Sequence, residues 1–260
     1  MCRIHIAQNN RKDMGLYPSL IYQKMNVEST KLIYIGMDDT DNHESRGTGR
    51  LARDLAEHLT VDFPVLGVTR HQLLVDPRVP YTSHNSSAAL CLEGDSGTDL
   101  KALFERVKAF MLADFIDGSD PGLCLAWAPS AAALRSFGEK AKTELVSQSE
   151  ALALAEAQQV LLEGLGGTQD GVIGALAAIG LAASGEDGRY LLVGSTRELS
   201  GLQSVRAVLD AGITAVCTLE GSPVNEGAVL AEKMRPARRG SLPILYVEWD
   251  QDHWRPVKLD

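Results

Sequence analysis

Hydrophobic positions along this chain recur with periods that divide it into strands and helices. Leu32-Ile33-Tyr34-Ile35 is a β-rich run and predicts a buried strand. After a polar, glycine-containing stretch, Leu51, Ala52, Leu55, Ala56 and Leu59 recur at helical spacing, while Arg50, Arg53, Asp54, Glu57 and His58 fill the other face. Phe63 to Val68 predicts a second strand, continued or paired by Arg70 to Val75, and Ala88 to Leu92 a short third one. Between them, the proline-bounded Asp76 to Tyr81 runs into the polar Thr82 to Ser87 and reads as a loop. Gly94 to Asp99 has turn and N-cap chemistry and starts a helix with Leu100, Leu103, Phe104, Val107, Phe110 and Met111 on one stripe.

Gly122 to Ala126 predicts another strand, and residues 130–163 are helical by composition, as two helices broken near Val146 to Ser149. A glycine-rich loop, Gly164 to Gly171, then feeds the almost continuously apolar Val172 to Gly180, which predicts a helix buried on every side with its N-terminus facing a site. Arg189 to Val193 predicts a strand. From Ser195 the texture changes: Gly201 to Gly212 reads as a helix, Ile213 to Leu219 as a strand, Asn225 to Met234 as a helix and Leu242 to Trp249 as a strand. The fold expected is α/β (α+β), a mixed sheet flanked by helices. Its parts are an extension without order over 1–30, a main domain over 31–195 and a smaller α/β portion over 196–260.

Composition narrows the class. At 260 residues and 45% hydrophobic content the chain can bury a substantial core. No apolar run approaches the roughly 18 to 20 residues of a membrane span. A net charge of −9 argues against a broad nucleic-acid-binding surface, which demands clustered Lys and Arg. Cys2, Cys91, Cys124 and Cys217 lie far apart, so neither a zinc site nor a disulfide framework is signalled. The first twenty residues lack the apolar segment of a secretory signal, and the cytoplasm is the expected compartment.

The chemistry concentrates at the end of the first strand. Asp38, Asp39 and Asp41 follow it directly, Thr40 lies between the last two, and Gly47-Thr48-Gly49 leads into the first helix. Carboxylates at the carboxyl end of a strand, beside a glycine turn and a helix start, are where α/β proteins place Mg²⁺ and phosphates. Three such carboxylates repel one another and are costly to desolvate, which a bound cation relieves. Strand alternation puts Asp39 and Asp41 on one face and Asp38 on the other, so the metal pair expected is Asp39 and Asp41. The plainer reading is an acidic turn that caps the next helix, with Thr48 as an N-cap and nothing more.

The loop and helix from Gly166 to Gly174 either cradle phosphate or simply allow close helix packing. Arg70, at a strand end, suits bidentate phosphate contact, with a structural ion pair as the alternative. His84 and Asn85 lie in a polar loop that either lines a substrate pocket or is solvated. The run Lys233, Arg235, Arg238 and Arg239 reads as a solvated face, with anion or RNA binding as the alternative.

With these residues in view, the sequence resembles the kinase-like domain of the archaeal tRNA agmatinylcytidine synthetase family. That family carries Gly-[Ile/Met]-Asp-Asp-Thr-Asp after a strand, which stands here as Gly36-Met37-Asp38-Asp39-Thr40-Asp41; Thr48 falls at its first motif threonine and Leu51-Ala52 at its helix start. Its Leu-Asn-Pro-x-[Ile/Val]-Pro segment looks like the stretch from Val75 through Pro80 to Ser86, and its Gly-Ala-Leu-Ala-Ala-Ile-Gly helix like Gly174 to Gly180. The resemblance implies ATP and Mg²⁺ binding, with phosphorylation of the threonine at Thr48 during turnover.

Catalysis is then expected from Asp39, Asp41 and Thr48, and cofactor contacts from Asp38, Thr40, Gly47, Arg70, Asn85, Gly167, Gly171 and Gly174. The departures matter equally. Gly47 and Gly49 replace a Cys and a Thr, Tyr81 and Ser83 replace a Lys and an Arg, and Asp170 stands where an Arg is usual. The family's RNA-binding modules and Cys₄ zinc ribbon have no counterpart, so the expected substrate is a small molecule, an amine among the candidates by resemblance, rather than tRNA. Two other readings compete with this phosphotransferase or ligase-like enzyme. One is a nucleotide-binding sensor or partner protein without turnover. The other is a haloacid-dehalogenase-type phosphatase, in which Asp39-Thr40-Asp41 imitates the nucleophile motif and Glu186-Asp187 the distal acidic pair.

Overall fold

The strand that carries the acidic motif is the middle of the molecule. The computed structural model describes residues 31–42, 47–79 and 85–259; the extension expected over 1–30 lies outside them, as do Tyr81, Ser83 and His84. β1 (Leu32–Asp38) has antiparallel neighbours on both sides, β3 (Ser86–Glu93) and β4 (Gly122–Trp127). Beyond β4 lies the short β5 (Leu161–Gly164), and beyond β3 lie β2 (Val65–Gln72) and β6 (Arg189–Leu192). The sheet continues through β10 (Ala237–Arg239), β11 (Leu242–Asp250) and β12 (His253–Pro256) to β9 (Ala228–Leu230) and β7 (Leu202–Ser204). β8 (Ala215–Thr218) pairs in parallel with β11. The result is the expected α/β arrangement, one mixed sheet of twelve strands with seven helices among the described residues.

Alternation along β1 sets the layers. Ile33, Ile35 and Met37 point to one face, where α1 (Thr48–Leu59) and α2 (Leu100–Ala113) bring Leu55, Leu59, Leu103 and Val107 into the same cluster. Tyr34 points to the other face and packs with α6 (Gly171–Ser184) and with α3 (Ala128–Ala133), α4 (Arg135–Ala141) and α5 (Gln148–Ala157). Both faces of the strand are therefore apolar, which explains its nearly unbroken hydrophobic sequence. The helix expected from Val172 onward is α6, buried along almost its whole length. A separate cluster around Val205, Val208, Val229, Leu245 and Val247 forms where α7 (Val205–Asp210) meets the last strands.

Several local expectations change. The segment 130–163 holds three short helices and β5, not two helices; Ser147 and Glu150 form a reciprocal capping box that restarts the chain as α5. Asn225 to Met234 contains β9 and no helix: Val229 and Ala231 are buried at a spacing of two, the period of a strand. Gly201 to Gly212 splits into β7 and the six-residue α7, whose N-cap Ser204 accepts from the Ala207 amide at 3.1 Å.

Arg238 is not part of a solvated face. It is 5% exposed, and its guanidinium donates to the Ala182 carbonyl at 2.9 Å and the Tyr190 hydroxyl at 2.7 Å, tying β10 to the end of α6. A second buried polar tie joins β2 to the loop after α6. His71, fully buried, is bonded to Thr69 Oγ1 through Nε2 at 2.8 Å and to Asp187 Oδ1 through Nδ1 at 2.9 Å, and Lys142 pairs with the same carboxylate. Among the described residues no helix is long and apolar enough to cross a membrane.

Candidate active site

β1 ends at Asp38, whose carboxyl follows the alternation to the α6 side of the sheet. There it lies against Gly174: a Cβ at that position would sit 1.7 Å from Asp38 Oδ2, so only glycine lets the helix approach this closely. Asp39 then adopts a left-handed conformation, with φ 49°, which Asp tolerates better than most residues. This break ends the alternation. Asp38, expected to face away from its neighbours, lines the same cavity of about 400 Å³ as Asp39 and Asp41.

Thr48 opens α1 in the wall of that cavity. The N-cap is Gly47, with φ 76° and no side chain to offer, so Thr48 is not a cap. Its hydroxyl instead accepts from Thr40 Oγ1 at 3.1 Å and donates to Asp41 Oδ1 at 3.1 Å. Thr40 lies buried behind it and holds the hydroxyl in place; Thr48 itself is 8% exposed.

A fourth carboxylate, Asp120, joins from the loop before β4. Its amide donates to the Asp39 carbonyl at 3.1 Å, and its carboxylate accepts from the Thr168 hydroxyl at 2.7 Å and the Gln169 amide at 3.2 Å. The glycine-rich loop is thus fastened to Asp120. Gly167 packs on its carboxylate without lining the cavity, while Gly171 and Gly174 in the first turn of α6 do line it. Gly171 is there because strand and helix nearly touch: its Cβ would fall 2.1 Å from the Asp120 carbonyl oxygen. Nothing in the sequence marks Asp120 as a partner of Asp39, because only the antiparallel pairing of β4 with β1 brings them together. Asp170 lines the cavity as well, as does Asn85, whose side-chain amide donates to the Leu74 carbonyl at 2.7 Å.

The electrostatics follow from this crowding. Burial, and then the negative charge of Asp39, lift the Asp38 carboxyl to about 7. Burial, and then Asp120, Asp41 and Asp170, lift Asp39 to about 6. Such a set favours protons or a cation, and its all-oxygen donors suit Mg²⁺. Among the described residues no three acidic, cysteine or histidine side chains converge closely enough to enclose an ion by themselves. Mg²⁺ is commonly held by one or two carboxylates, with waters and substrate phosphates completing the shell, so the residues present fit the ion together with a nucleotide.

Gly47 and Arg70 belong to a different cavity. It measures about 330 Å³ and is walled by Arg50, Arg53, Arg70, Arg189 and Arg235, sharing Asp41, Thr48 and Ser86 with the acidic one. Arg70 donates to Ser86 Oγ at 2.7 Å. Arg235 therefore leaves the solvated face assigned to it and stands half-buried at a site. Asp187, which a dehalogenase-type phosphatase would need near Asp39, is engaged by His71 and Lys142 and does not line the acidic cavity.

No protein-family model matches the chain, and no curated protein matches it either. Solved structures do. The chain is similar to TiaS in a complex with an isoleucine tRNA and ATP, at 26% identity and a TM-score of 0.52, over 58% of this chain and 36% of that one. It is similar to a tRNA fluorescent labeling enzyme at 27% identity and 0.51, over 57% and 36%. A TiaS complex with the isoleucine tRNA, AMPCPP and agmatine matches at 25% identity and 0.50, over 58% and 36%. The resemblance read from the motifs is thus met in the fold, for a chain that spans about a third of the length of those it matches.

Proposed function

We propose that this chain is an ATP-dependent phosphoryl-transfer enzyme acting on a small acceptor, with Thr48 as the first group to receive the phosphoryl. One observation carries the reading: the Thr48 hydroxyl donates to Asp41 in the wall of a cavity that gathers Asp38, Asp39 and Asp120. A hydroxyl bonded to a carboxylate and fixed by a third group is the arrangement of an activated nucleophile. Asp39 and Asp41 would hold Mg²⁺, which supplies charge neutralisation on the phosphates when bound. The N-terminal turn of α6, with no side-chain cap at Asp170, turns the positive end of its helix dipole toward the same phosphates. Asp41 takes the Thr48 proton on Oδ1 as the threonine oxygen bonds to phosphorus; the phosphorus–oxygen bond to the rest of the nucleotide breaks, the remaining nucleotide leaves with that electron pair, and Thr40 keeps the threonine oxygen in line. The solved structures bound to ATP and to AMPCPP support the nucleotide half of this reading.

A sensor that binds ATP without turning it over is the second reading, favoured by Asp170, which adds negative charge to the cavity. Chromatography of the nucleotide after incubation with Mg-ATP separates the two. Conversion of ATP that Asp41→Asn removes is expected; bound but unconverted ATP, whatever acceptor is offered, would establish the sensor instead.

A further inference from the structure

The proposed ATP site uses the acidic cavity and leaves its neighbour unexplained. That neighbour draws guanidinium groups from elements far apart in sequence: Arg50 and Arg53 from α1, Arg70 from β2, Arg189 from β6 and Arg235 from the segment before β10. Among the described residues its one acidic lining group is Asp41, at the partition with the acidic cavity. Its floor includes the N-terminus of α1, where no side chain caps the first-turn amides and no acidic residue stands in the first turn. The positive end of a twelve-residue helix and five arginines therefore face one volume.

The arginines are not placed there by ion pairing alone. Arg50 is satisfied by Asp54 in its own helix at 2.8 Å, but Arg70 and Arg53 donate to a serine hydroxyl and a backbone carbonyl. Burial, then Arg70 and Arg235, push Arg189 down to about 10; burial, then Arg197 and Arg70, lower Arg235. Confining like charges in this way is unfavourable unless an anion joins them. The net charge of −9 over the whole chain makes the concentration more pointed. At about 330 Å³ the cavity has room for one or two phosphate groups.

We propose that this arginine-lined cavity seats a phosphate or diphosphate group carried by the acceptor, which thereby presents its reactive end to Thr48 across the shared wall. The proposal rests on the phosphoryl-transfer reading above and specifies its acceptor class, a small phosphorylated molecule. It also assigns Arg53 and Arg235 a substrate-binding role.

Pyrophosphate titrated calorimetrically into the full chain, in EDTA and at low ionic strength, tests it. Without a divalent cation the acidic cavity repels the probe, so binding reports the arginine cavity. Binding is expected, weakened at least tenfold in Arg70→Gln/Arg235→Gln and, from the opposite wall, in Arg53→Gln, but retained in Asp39→Asn. Circular dichroism and melting verify that each variant is folded. Absent binding, or binding indifferent to these arginines, would overturn the proposal. Displacement of pyrophosphate by single-stranded RNA, through the same arginines, would replace the small acceptor with RNA. Mg-ATP affinity is measured in parallel: if Arg70→Gln/Arg235→Gln abolishes it, the cavity belongs to the nucleotide and the acceptor assignment fails. If Asp39→Asn leaves Mg-ATP affinity untouched while pyrophosphate still needs the arginines, it is the phosphoryl-transfer reading that fails.

Discussion

Asp39→Asn should make the cation-free protein more stable while disabling its site. In the folded chain Asp39 titrates at about 6 against an ordinary 3.8. An elevation of roughly two units corresponds to about 3 kcal/mol between protonation states. Cavity water screens part of it, leaving about 1–2 kcal/mol. Because the folded-state pKa is raised, the folded chain holds this proton more tightly than the unfolded one. The contribution is favourable below about pH 4 and is lost as pH rises through 6. Asparagine has the same shape without the charge, so at pH 8 in EDTA the variant is expected to melt about 2–6 °C above the wild type. At pH 5 the gap should shrink, since Asp39 is then largely protonated. Mg²⁺ added together with ATP should raise the wild-type melting temperature and leave the variant unmoved. Differential scanning fluorimetry over pH and Mg²⁺ reads all three. A variant that melts at or below the wild type at pH 8, or that keeps the Mg²⁺ response, would refute the assignment.

Other consequences follow from the same contacts. Gly174→Ala should cost about 1–3 kcal/mol by overpacking, because its Cβ would meet Asp38 Oδ2 at 1.7 Å, and should also weaken Mg-ATP binding in a calorimetric titration. His71→Leu should destabilise by about 1–3 kcal/mol in urea titrations, since Asp187 and Thr69 lose a buried partner. Burial lowers the His71 pKa, so its contribution is present above about pH 6.5 and lost as pH falls below it. Wild-type stability should therefore drop between pH 7 and pH 5.5 more steeply than that of the variant.

Much of the fold could be read from periodicity. The strand through Leu32–Ile35, the amphipathic α1 and the wholly apolar α6 stand where their patterns put them, because each follows one unambiguous period. Where the pattern was short or mixed, it misled. Val229, Ala231 and Met234 fit a helix as well as a strand until Val229 is seen paired with Trp254. The acidic motif announced a site and alternation placed Asp38, but the left-handed Asp39 ends the alternation there and turns Asp39 and Asp41 into the same cavity as Asp38. Asp120 and the arginine cavity were illegible for a deeper reason. They exist only through strand order, which sets β4 beside β1 and β6 beside β2, and no local pattern encodes that order. Arg235 and Arg238, taken together as one solvated run, part company for the same cause.

The most direct test is mass spectrometry of the protein after incubation with Mg-ATP, with peptide mapping of residues 31–60. A gain of one phosphate on Thr48, absent from Thr48→Val and from Asp39→Asn, is the expected result. Continued phosphorylation in Asp39→Asn, or a fully unmodified protein that nonetheless converts ATP in the presence of an acceptor, would contradict the role given to Thr48 and its carboxylate neighbours.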